Sequence, residues 1–271
     1  NVRNYNYGSS KQTTATGSGN GGNGYIKELS RITENILTYT KNWDEHRFSA
    51  TGVYSWQDYV YENLSISGKG FQNDETGAWD MGLADRETMS YASGKYGNTL
   101  ISFTGRFTYA YKDRYLMTAT ARYDGSSRFG TNNKWGFFPS AAVAWRISSE
   151  SFMENTKNWL DDLKLRFSYG TAGNNNIPSG QISQLYELNK TPWINGVNSY
   201  IAPSKYMANS DLTWETTITR NVGLDFTTLG GRLSGTIEGY WNNTKDLLIM
   251  FPTSGTGYNY QYRNMGETEN K

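Results

Sequence analysis

The feature that most constrains the fold is the run from Arg114 to Ile147, in which side chains alternate in character on either side of a short polar break. Successive side chains of a strand point to opposite faces of a sheet, so alternation with a period of two predicts a strand on each side of the break. We therefore predict one β-hairpin. Its first face carries Tyr115, Met117, Ala119, Ala121 and Tyr123 in the first arm, and Phe137, Pro139, Ala141, Val143, Trp145 and Ile147 in the second arm.

The aromatic residues of this hairpin indicate its surroundings. Tyr115 and Tyr123 stand at the two ends of the apolar face in the first arm, and Phe137 and Trp145 stand near the ends of the second. Alternation alone would also fit a half-buried strand of a soluble protein. Apolar positions between aromatic ends are typical of a strand that faces lipid, with a ring at each headgroup boundary.

The composition excludes several classes of protein. Mean hydropathy is −0.71, and the absence of an apolar run of roughly 18 residues excludes a helical membrane protein but not a barrel of half-apolar strands. A net charge of +1 argues against nucleic-acid binding, which usually requires a basic excess. The chain has no Cys, and His46 is its only His. We therefore expect no metal site and no cofactor, and interpret His46 as an interfacial or solvent-side imidazole.

No motif supports catalysis, and we predict that the chain is not an enzyme. The adjacent carboxylates of residues 74–75 and 161–162 would point to opposite faces of a strand, which suits turns and strand starts better than acid–base pairs. The sequence of residues 124–127, DGSS, is interpreted as turn chemistry. In that interpretation Gly125 adopts positive φ and Asp124 bonds to the backbone.

Six further strands and the start of a ninth are predicted outside the hairpin. They are residues 26–40, 46–57, 100–111, 163–170, 214–226 and 233–242, with the last one starting near Tyr260. We predict irregular segments at 1–24, 62–98, 173–212 and 245–260, and a medium connection at 148–160 with a short helix at 150–155. Short and long connections then alternate, which places turns at one end of the strands and long loops at the other, as in outer-membrane barrels. A soluble sandwich gives no reason for this segregation.

One residue conflicts with this arrangement. Arg220 interrupts the apolar face of the strand at 214–226, to which Trp214, Ile218 and Val222 are assigned. An Arg near the middle of a lipid-facing strand costs about 2–4 kcal/mol. We therefore expect Arg220 to extend toward the interface, to contact a neighbouring side chain, or to reveal an error in the predicted register.

Four ordered submotifs resemble the barrel of the SusC/RagA family of TonB-dependent outer-membrane transporters. They are Lys112–Leu116 (KDRYL), Arg122–Gly130 (RYDGSSRFG), Trp135–Ser140 (WGFFPS) and Ala144–Arg146 (AWR). The resemblance implies an all-β fold, an antiparallel transmembrane β-barrel of 22 strands around an internal plug. Residues 1–271 would be a portion of the barrel domain, without the plug, the TonB box or the closing strands. Because the sequence does not open with a signal peptide, we expect an internal fragment.

The same resemblance implies TonB-dependent uptake of glycan oligosaccharides or peptides across the outer membrane of a Gram-negative bacterium. The expected partners are a SusD-like surface lipoprotein, the TonB complex through regions outside this chain, outer-membrane lipid and the transported ligand, but no nucleic acid. Two alternatives stay open, a passive porin and a soluble β-rich adhesion or carbohydrate-binding module.

Candidate ligand contacts lie in the predicted loops and on the inward face of the strands. Aromatic and amide groups suit sugars and peptides, although each such side chain could instead pack within its own loop. The candidate substrate-binding residues are Trp79, Trp193, Asn195, Tyr200 and Tyr206. The inward-facing charged residues, which would contact either cargo or water, are Arg122, Arg146, Arg166 and Glu215.

Overall fold

In the computed structural model of the chain, residues 2–6, 19–71, 77–189 and 200–271 are described. These parts consist of strands joined by turns, loops and short 3₁₀ helices. The strands are β1 (Val2–Asn6), β2 (Gly19–Trp43), β3 (His46–Phe71), β4 (Ser90–Tyr111), β5 (Tyr115–Ser126), β6 (Trp135–Arg146), β7 (Leu160–Asn174), β8 (Tyr186–Asn189), β9 (Tyr200–Pro203), β10 (Tyr206–Met207), β11 (Glu215–Thr228), β12 (Leu233–Lys245), β13 (Leu248–Pro252), β14 (Tyr260–Asn264) and β15 (Glu267–Asn270). The 3₁₀ helices are Gly77–Trp79, Met81–Leu83, Arg86–Thr88, Ile147–Ser149 and Ser151–Thr156. None of the helices in the described parts has the length and apolar character needed to cross a bilayer.

Ten of the strands form one sheet, which we call the wall, in the order β1-β2-β3-β4-β5-β6-β7-β11-β12-β15. Its neighbouring strands are antiparallel wherever their register is described. Strands β10, β14 and β13 form a second sheet, in which β10 and β14 run parallel, and β8 and β9 form a third.

The chain divides into two compact units, one of residues 1–32 with 57–98 and the other of residues 33–56 with 99–271. In the first unit β1 pairs with the start of β2, and three of the 3₁₀ helices lie between β3 and β4. The second unit contains the predicted hairpin and every element that follows it.

The predicted irregular segments at 1–24 and 62–98 are wrong at their borders. Strand β2 begins at Gly19, β3 continues to Phe71 and β4 begins at Ser90. A period of two is visible in a sequence only where the two faces of a strand meet different environments. These strand ends are rich in Gly and polar residues on both faces, so backbone pairing extends them without a sequence pattern.

The hairpin that anchors the prediction is confirmed, with Tyr115 opposite Trp145 and Tyr123 opposite Phe137. The turn before it is also confirmed. Lys112 and Asp113 have φ of 53° and 54°, the left-handed conformation of a type I′ hairpin turn. The predicted short helix at 150–155 corresponds to the 3₁₀ helix Ser151–Thr156.

Two of the predicted loops contain short strands. The segment 173–212 includes β8, β9 and β10, and the segment 245–260 includes β13. Residues 260–264 form β14 in the second sheet, so the last strand of the wall is β15 and not the residues just after Tyr260. Strands of two to five residues are too short to show a period in sequence, and their partners are distant along the chain.

One face of the wall in the second unit, the apolar face, exposes large hydrophobic side chains. Phe107 is 54% exposed, Phe137 61% and Ile237 65%. Adjacent strands place such residues in register, as in the row Trp145, Leu165, Leu224 and Ile237. An exposed apolar surface that crosses this many strands indicates contact with lipid.

Arg220 lies at the border of the apolar face rather than in its middle. Its neighbours in the ladder are Tyr169 and Trp241, and the next residues on the same face of those two strands are the polar Thr171 and Asn243. The guanidinium carbon lies 5.8 Å from the ring centroid of Tyr169 and 5.5 Å from that of Trp241. The expected contact with neighbours is confirmed, and near the interface an Arg costs only about 0–1 kcal/mol.

Candidate functional site

The opposite face of the wall, which we call the polar face, is the candidate functional surface. One ladder row across β4, β5, β6, β7, β11 and β12 presents Arg106, Thr120, Ser140, Gly170, Thr219 and Asn242. The adjacent row presents Thr108, Thr118, Ala142, Ser168, Asn221 and Tyr240. Hydroxyl and amide groups dominate because side chains alternate between the two faces along every strand.

The two ends of the wall differ in their connections. Residues 112–114, 147–159 and 229–232 form turns or a medium connection at one end, which we call the turn end. At the opposite end, the loop end, longer connections follow β7 and β12. In the second unit the predicted segregation of connection lengths holds for the connections after β7 and β12, whereas residues 127–134 at the loop end form a shorter connection than residues 147–159 at the turn end.

Near the turn end, the polar face carries a network of four charged side chains, the turn-end network of Lys164, Arg166, Asp225 and Glu238. Arg166 donates to both oxygens of Asp225 at 2.8 Å from Nε and 2.8 Å from Nη2, and Nη2 also lies 2.6 Å from Glu238. Lys164 Nζ lies 2.9 Å from Asp225. Two positive and two negative charges balance, so the network links β7, β11 and β12 without a net charge.

A glycine makes this geometry possible. Arg166 on β7, Gly223 on β11 and Glu238 on β12 share one ladder row, so the guanidinium must cross the middle strand to reach the carboxylate. A Cβ at Gly223 would lie 2.8 Å from Nη2 of Arg166, closer than an unbonded carbon and nitrogen approach. Glycine therefore lets the arginine side chain lie across the middle strand, and any larger residue would require the guanidinium to shift.

At the loop end the polar face changes character and carries an apolar cluster, the loop base. Its buried residues are Phe129, Phe138, Ile177, Leu212 and Trp214, and the half-buried residues packed on it are Leu100, Ile182, Leu248 and Tyr262. These side chains come from the wall and from the connections after β5, β7 and β12. The cluster therefore fixes three loops to the wall and to one another.

The loop base corrects one assignment and shows a signal that sequence reasoning missed. Trp214 was assigned to the lipid-facing side of a strand, but it precedes β11, is 6% exposed, and donates from Nε1 to the carbonyl of Lys134 at 3.1 Å. The missed signal is Phe138, a large ring on a polar face. A Cβ on Gly136 or Gly173 would overlap the Phe138 ring, so the two glycines make space for it.

The predicted turn at residues 124–127 is wrong at its start. Strand β5 continues through Ser126, and Asp124 accepts from Nε of Arg122 at 2.8 Å and 2.7 Å instead of bonding to the backbone. Gly125 is absent from the residues with positive φ. Its role is close approach, because a Cβ there would lie 2.7 Å from the ring of Trp135.

At the turn end, Glu150 joins the aromatic ends of the hairpin. Its carboxylate accepts from the Tyr115 hydroxyl at 2.6 Å, from Nε1 of Trp145 at 3.0 Å and from Nη1 of Arg114 at 3.1 Å. The Tyr115 and Trp145 hydrogen bonds, with Arg114 beside them, hold the pKa of Glu150 below its usual range because they favour the charged carboxylate. One carboxylate in the connection after β6 thus fixes both aromatic side chains.

The structure describes only part of the predicted substrate-binding set. Trp79 ends a 3₁₀ helix of the first unit and is 76% exposed, and Tyr206 begins β10 in the second unit and is 39% exposed. The Tyr206 ring lies 6.0 Å from that of Tyr260. Tyr200 begins β9, but its side chain, like all of Trp193 and Asn195, lies outside the described residues.

The predicted inward-facing charges are all occupied by partners within the protein. Arg122 pairs with Asp124, Arg146 with Asp162, and Arg166 with the turn-end network, while Glu215 accepts from Asn174 and from the backbone of Leu248. Arg106 differs from them. It is exposed on the polar face and has no hydrogen bond or ion pair with any described residue.

The single histidine packs among aromatic residues near the turn end. Its ring stacks on Trp43 at 5.2 Å between centroids, and Nδ1 lies 2.7 Å from the Tyr109 hydroxyl. Within the described residues, no three His, Cys, Asp or Glu side chains are grouped closely enough to hold a metal ion.

Comparison with known proteins identifies the family of this wall. A family model described as TonB dependent receptor-like, beta-barrel, matches residues 1–271. The chain belongs to the TonB-dependent receptor family. It is 37% identical over 260 residues to TonB-dependent receptor P26 of Formosa agariphila, covering 93% of this chain and 26% of that relative. It is 36% identical over 278 residues to TonB-dependent receptor SusC of Bacteroides thetaiotaomicron, covering 97% of this chain and 27% of that relative.

A solved structure gives the same assignment. The RagAB peptide transporter superposes with a TM-score of 0.88 at 26% identity, over 98% of this chain and 29% of that one. The chain spans about a quarter of the length of these curated relatives. The resemblance to the SusC/RagA family, the antiparallel barrel fold and the outer-membrane location are thereby confirmed. In such barrels the long loops lie outside the cell and the short turns in the periplasm.

Proposed function

We propose that the complete protein imports glycan oligosaccharides or peptides through the outer membrane, powered through TonB and assisted by a SusD-like lipoprotein. The proposal rests on the difference between the two faces of the wall. Its apolar face suits lipid, and its polar face offers hydroxyl, amide and charged groups to a water-filled or ligand-filled passage. Residues 1–271 contribute barrel wall, the plug and the TonB contact belong to other parts of the protein, and the ligand passes without chemical change.

The loop base supports active import over passive diffusion. A porin needs an open mouth, whereas here three loops are fixed to one apolar cluster on the side from which a ligand enters. Loops anchored at the entrance suit a transporter that takes up its ligand in discrete steps. An adhesion module is less well supported, because Phe107, Phe137 and Ile237 are exposed where a soluble sandwich needs a second sheet.

Arg106 is the residue of the polar face that we assign to ligand contact. Paired arginines such as Arg122 already satisfy their charge within the wall, whereas the Arg106 guanidinium stands free beside the hydroxyl groups of Thr104, Thr108 and Thr120. A free guanidinium among hydroxyl groups suits a carboxylate, from a peptide or from an acidic sugar.

The loop residues Trp79, Trp193, Asn195, Tyr200 and Tyr206 complete the proposed ligand contacts. Exposed aromatic rings can stack on sugars or cover apolar peptide side chains, and amides can pair with hydroxyl or peptide groups. The solved relatives are described as a peptide transporter, which favours the peptide arm of the proposal. Packing of each ring within its own loop remains the competing role.

Uptake by the full-length protein with its lipoprotein partner tests the proposal. Cells would be given labelled oligopeptides and labelled oligosaccharides, with and without a protonophore that collapses the proton gradient. We expect uptake of one ligand class to stop when the gradient is lost. Uptake that continues unchanged would support a passive porin instead.

Two sets of variants then locate the ligand contacts. We expect Arg106→Gln to weaken binding of acidic ligands about tenfold and to leave neutral ligands unaffected. Arg232→Gln, which removes an exposed arginine from a periplasmic turn, is the matched control. Equal losses in both variants would remove Arg106 from the site, and unchanged affinity in the Trp193→Ala and Tyr206→Ala variants would remove those two loop residues.

A further inference from the structure

We propose that the apolar face carries a binding site for a lipid with a phosphate headgroup, formed by Arg220 and an adjacent groove. The site lies on the outer surface of the barrel, so it depends on the barrel spanning the membrane but not on which ligand the protein carries. Arg220 supplies the positive charge, and the groove beside it supplies an apolar bed for an acyl chain.

The first observation is the position of Arg220. It stands near the loop-end border of the apolar face, since Thr171 and Asn243 follow Tyr169 and Trp241 on the same face of β7 and β12, while Ile218 follows Arg220 on β11. Aromatic residues that border an apolar band mark the headgroup level of a bilayer. Because the loop end is the outer end, Arg220 faces the headgroups of the outer leaflet.

The second observation is that Arg220 has donors to spare. Tyr169 and Trp241 flank it with ring faces, which attract its charge but accept none of its N–H groups in ordinary hydrogen bonds. No hydrogen bond joins Arg220 to any described residue. A guanidinium that lies near two rings and makes no hydrogen bond with a described residue can bind a phosphate through two N–H groups.

The third observation is a groove of about 310 Å³ that begins at Arg220. On the apolar face it is lined by Ala141, Val143, Phe167 and Val222 besides Tyr169 and Arg220. Val143, Phe167 and Val222 share the ladder row next to that of Arg220 on the turn-end side, so the groove extends from the arginine into the apolar band. Such a groove suits one acyl chain, so charge and groove together fit a single lipid molecule.

The charges around the site leave Arg220 in excess. Glu269 on β15 is the neighbouring carboxylate, but it pairs with Lys271 at 2.7 Å, and Lys271 Nζ lies 4.5 Å from the centroid of the other flanking ring, Trp241. Two cations against one anion give the site a net positive charge. An anionic headgroup is therefore favoured over a neutral one.

Lipid binding to the full-length protein in detergent, measured by native mass spectrometry, tests this site. The probes are dimyristoyl phosphatidic acid and dimyristoylglycerol, which share their acyl chains and differ by the phosphate. We expect about tenfold tighter binding of phosphatidic acid, lost in Arg220→Gln and retained in Arg232→Gln. Equal binding of both lipids by the wild type, or an undiminished preference in Arg220→Gln, would overturn the proposal.

A second pair of variants tests the groove. Ala141→Trp places a large side chain in the groove, and we expect it to weaken binding of both lipids. Gly105→Trp fills a separate concavity on the same face, lined by Tyr54, Phe103 and Tyr123 without a charged side chain, and should leave the preference intact. Displacement of phosphatidic acid by millimolar inorganic phosphate would mean that the groove adds nothing, and would reduce the site to an anion site alone.

Discussion

The two ends of the wall are stabilised by different physical means. At the turn end, hydrogen bonds and ion pairs converge on Glu150 and on the network of Arg166, Asp225 and Glu238. At the loop end, buried rings and aliphatic side chains meet in the loop base, where Leu212 is fully buried. At the turn end, directional hydrogen bonds hold short connections in place. At the loop end, the connections after β7 and β12 are longer, and a buried apolar cluster fixes their bases to the wall.

The difference predicts how each end responds to change. Charged contacts that stay partly exposed contribute modestly and depend on pH. A buried apolar cluster contributes more and is insensitive to pH, because its stabilisation follows from area removed from water. Substitutions at the loop end should therefore have larger effects than those at the turn end.

The largest effect is expected from Leu212→Ala. Removing a fully buried leucine leaves a cavity in the loop base and costs about 2–5 kcal/mol. Because the base fixes three loops, hydrogen exchange and proteolysis in the segment between β7 and β11 should accelerate in the full-length protein. Leu229→Ala, at a periplasmic turn where the leucine is 59% exposed, is the control, and equal acceleration in both variants would contradict the assigned role of the loop base.

A smaller effect is expected from Gly223→Ala at the turn end. The added methyl group displaces the Arg166 guanidinium and breaks its bond to Glu238, a cost of about 1 kcal/mol for a contact that is partly exposed. Denaturant midpoints of the full-length protein in detergent measure this difference. Gly239→Ala is the matched control, because nothing lies within 4 Å of that position and the substitution should be neutral.

Combining Gly223→Ala with Glu238→Gln isolates the interaction between Arg166 and Glu238. In the Gly223→Ala background, Glu238→Gln should add little further destabilisation, because the bond to Arg166 has already been lost. Additive effects of the two substitutions would show that Gly223 has another role.

The smallest effect, and one that depends on pH, is expected from Glu150→Gln. The pKa of Glu150 is lowered in the folded protein, so its stabilising contribution is present above the unfolded pKa of about 4.3 and is lost as pH falls through the lower folded pKa. The variant should be less stable than wild type at neutral pH, and the two should converge in acid. Glu154→Gln, an exposed glutamate of the same connection, should show no such convergence, and a Glu150→Gln difference constant across pH would reject the assigned cause.

Sequence reasoning succeeded where the environment differs between the two faces of a strand. The hairpin of β5 and β6 is predicted with the correct faces, because lipid on one side and water on the other impose a period of two. It failed at the long ends of β2, β3 and β4, where water meets both faces. It also failed for β10 and β13, whose strands are too short to show a period.

The candidate site was less predictable than the fold. The loop base depends on contacts between Phe138, Ile177 and Leu212, which come from three different segments, and no local pattern joins them. A local sign did exist, since Gly136 and Gly173 leave space for the Phe138 ring. For Arg220 the situation is reversed. The sequence shows the problem, an arginine on an apolar strand face, and the structure supplies the explanation, its contacts with the neighbouring rings of Tyr169 and Trp241.

The loop base also has a consequence for how ligand preference can diversify. The amide of Asn209 donates to the carbonyl of Gln181 at 2.9 Å, so the chain leaves the loop base and returns to it at nearly the same point. Within the described part of this segment, Ile182 packs on the loop base and β10 pairs with β14, whereas β8 and β9 pair with each other. We therefore expect that the length of the connection between β8 and β9 can change without altering the wall, because these two strands form a sheet of their own.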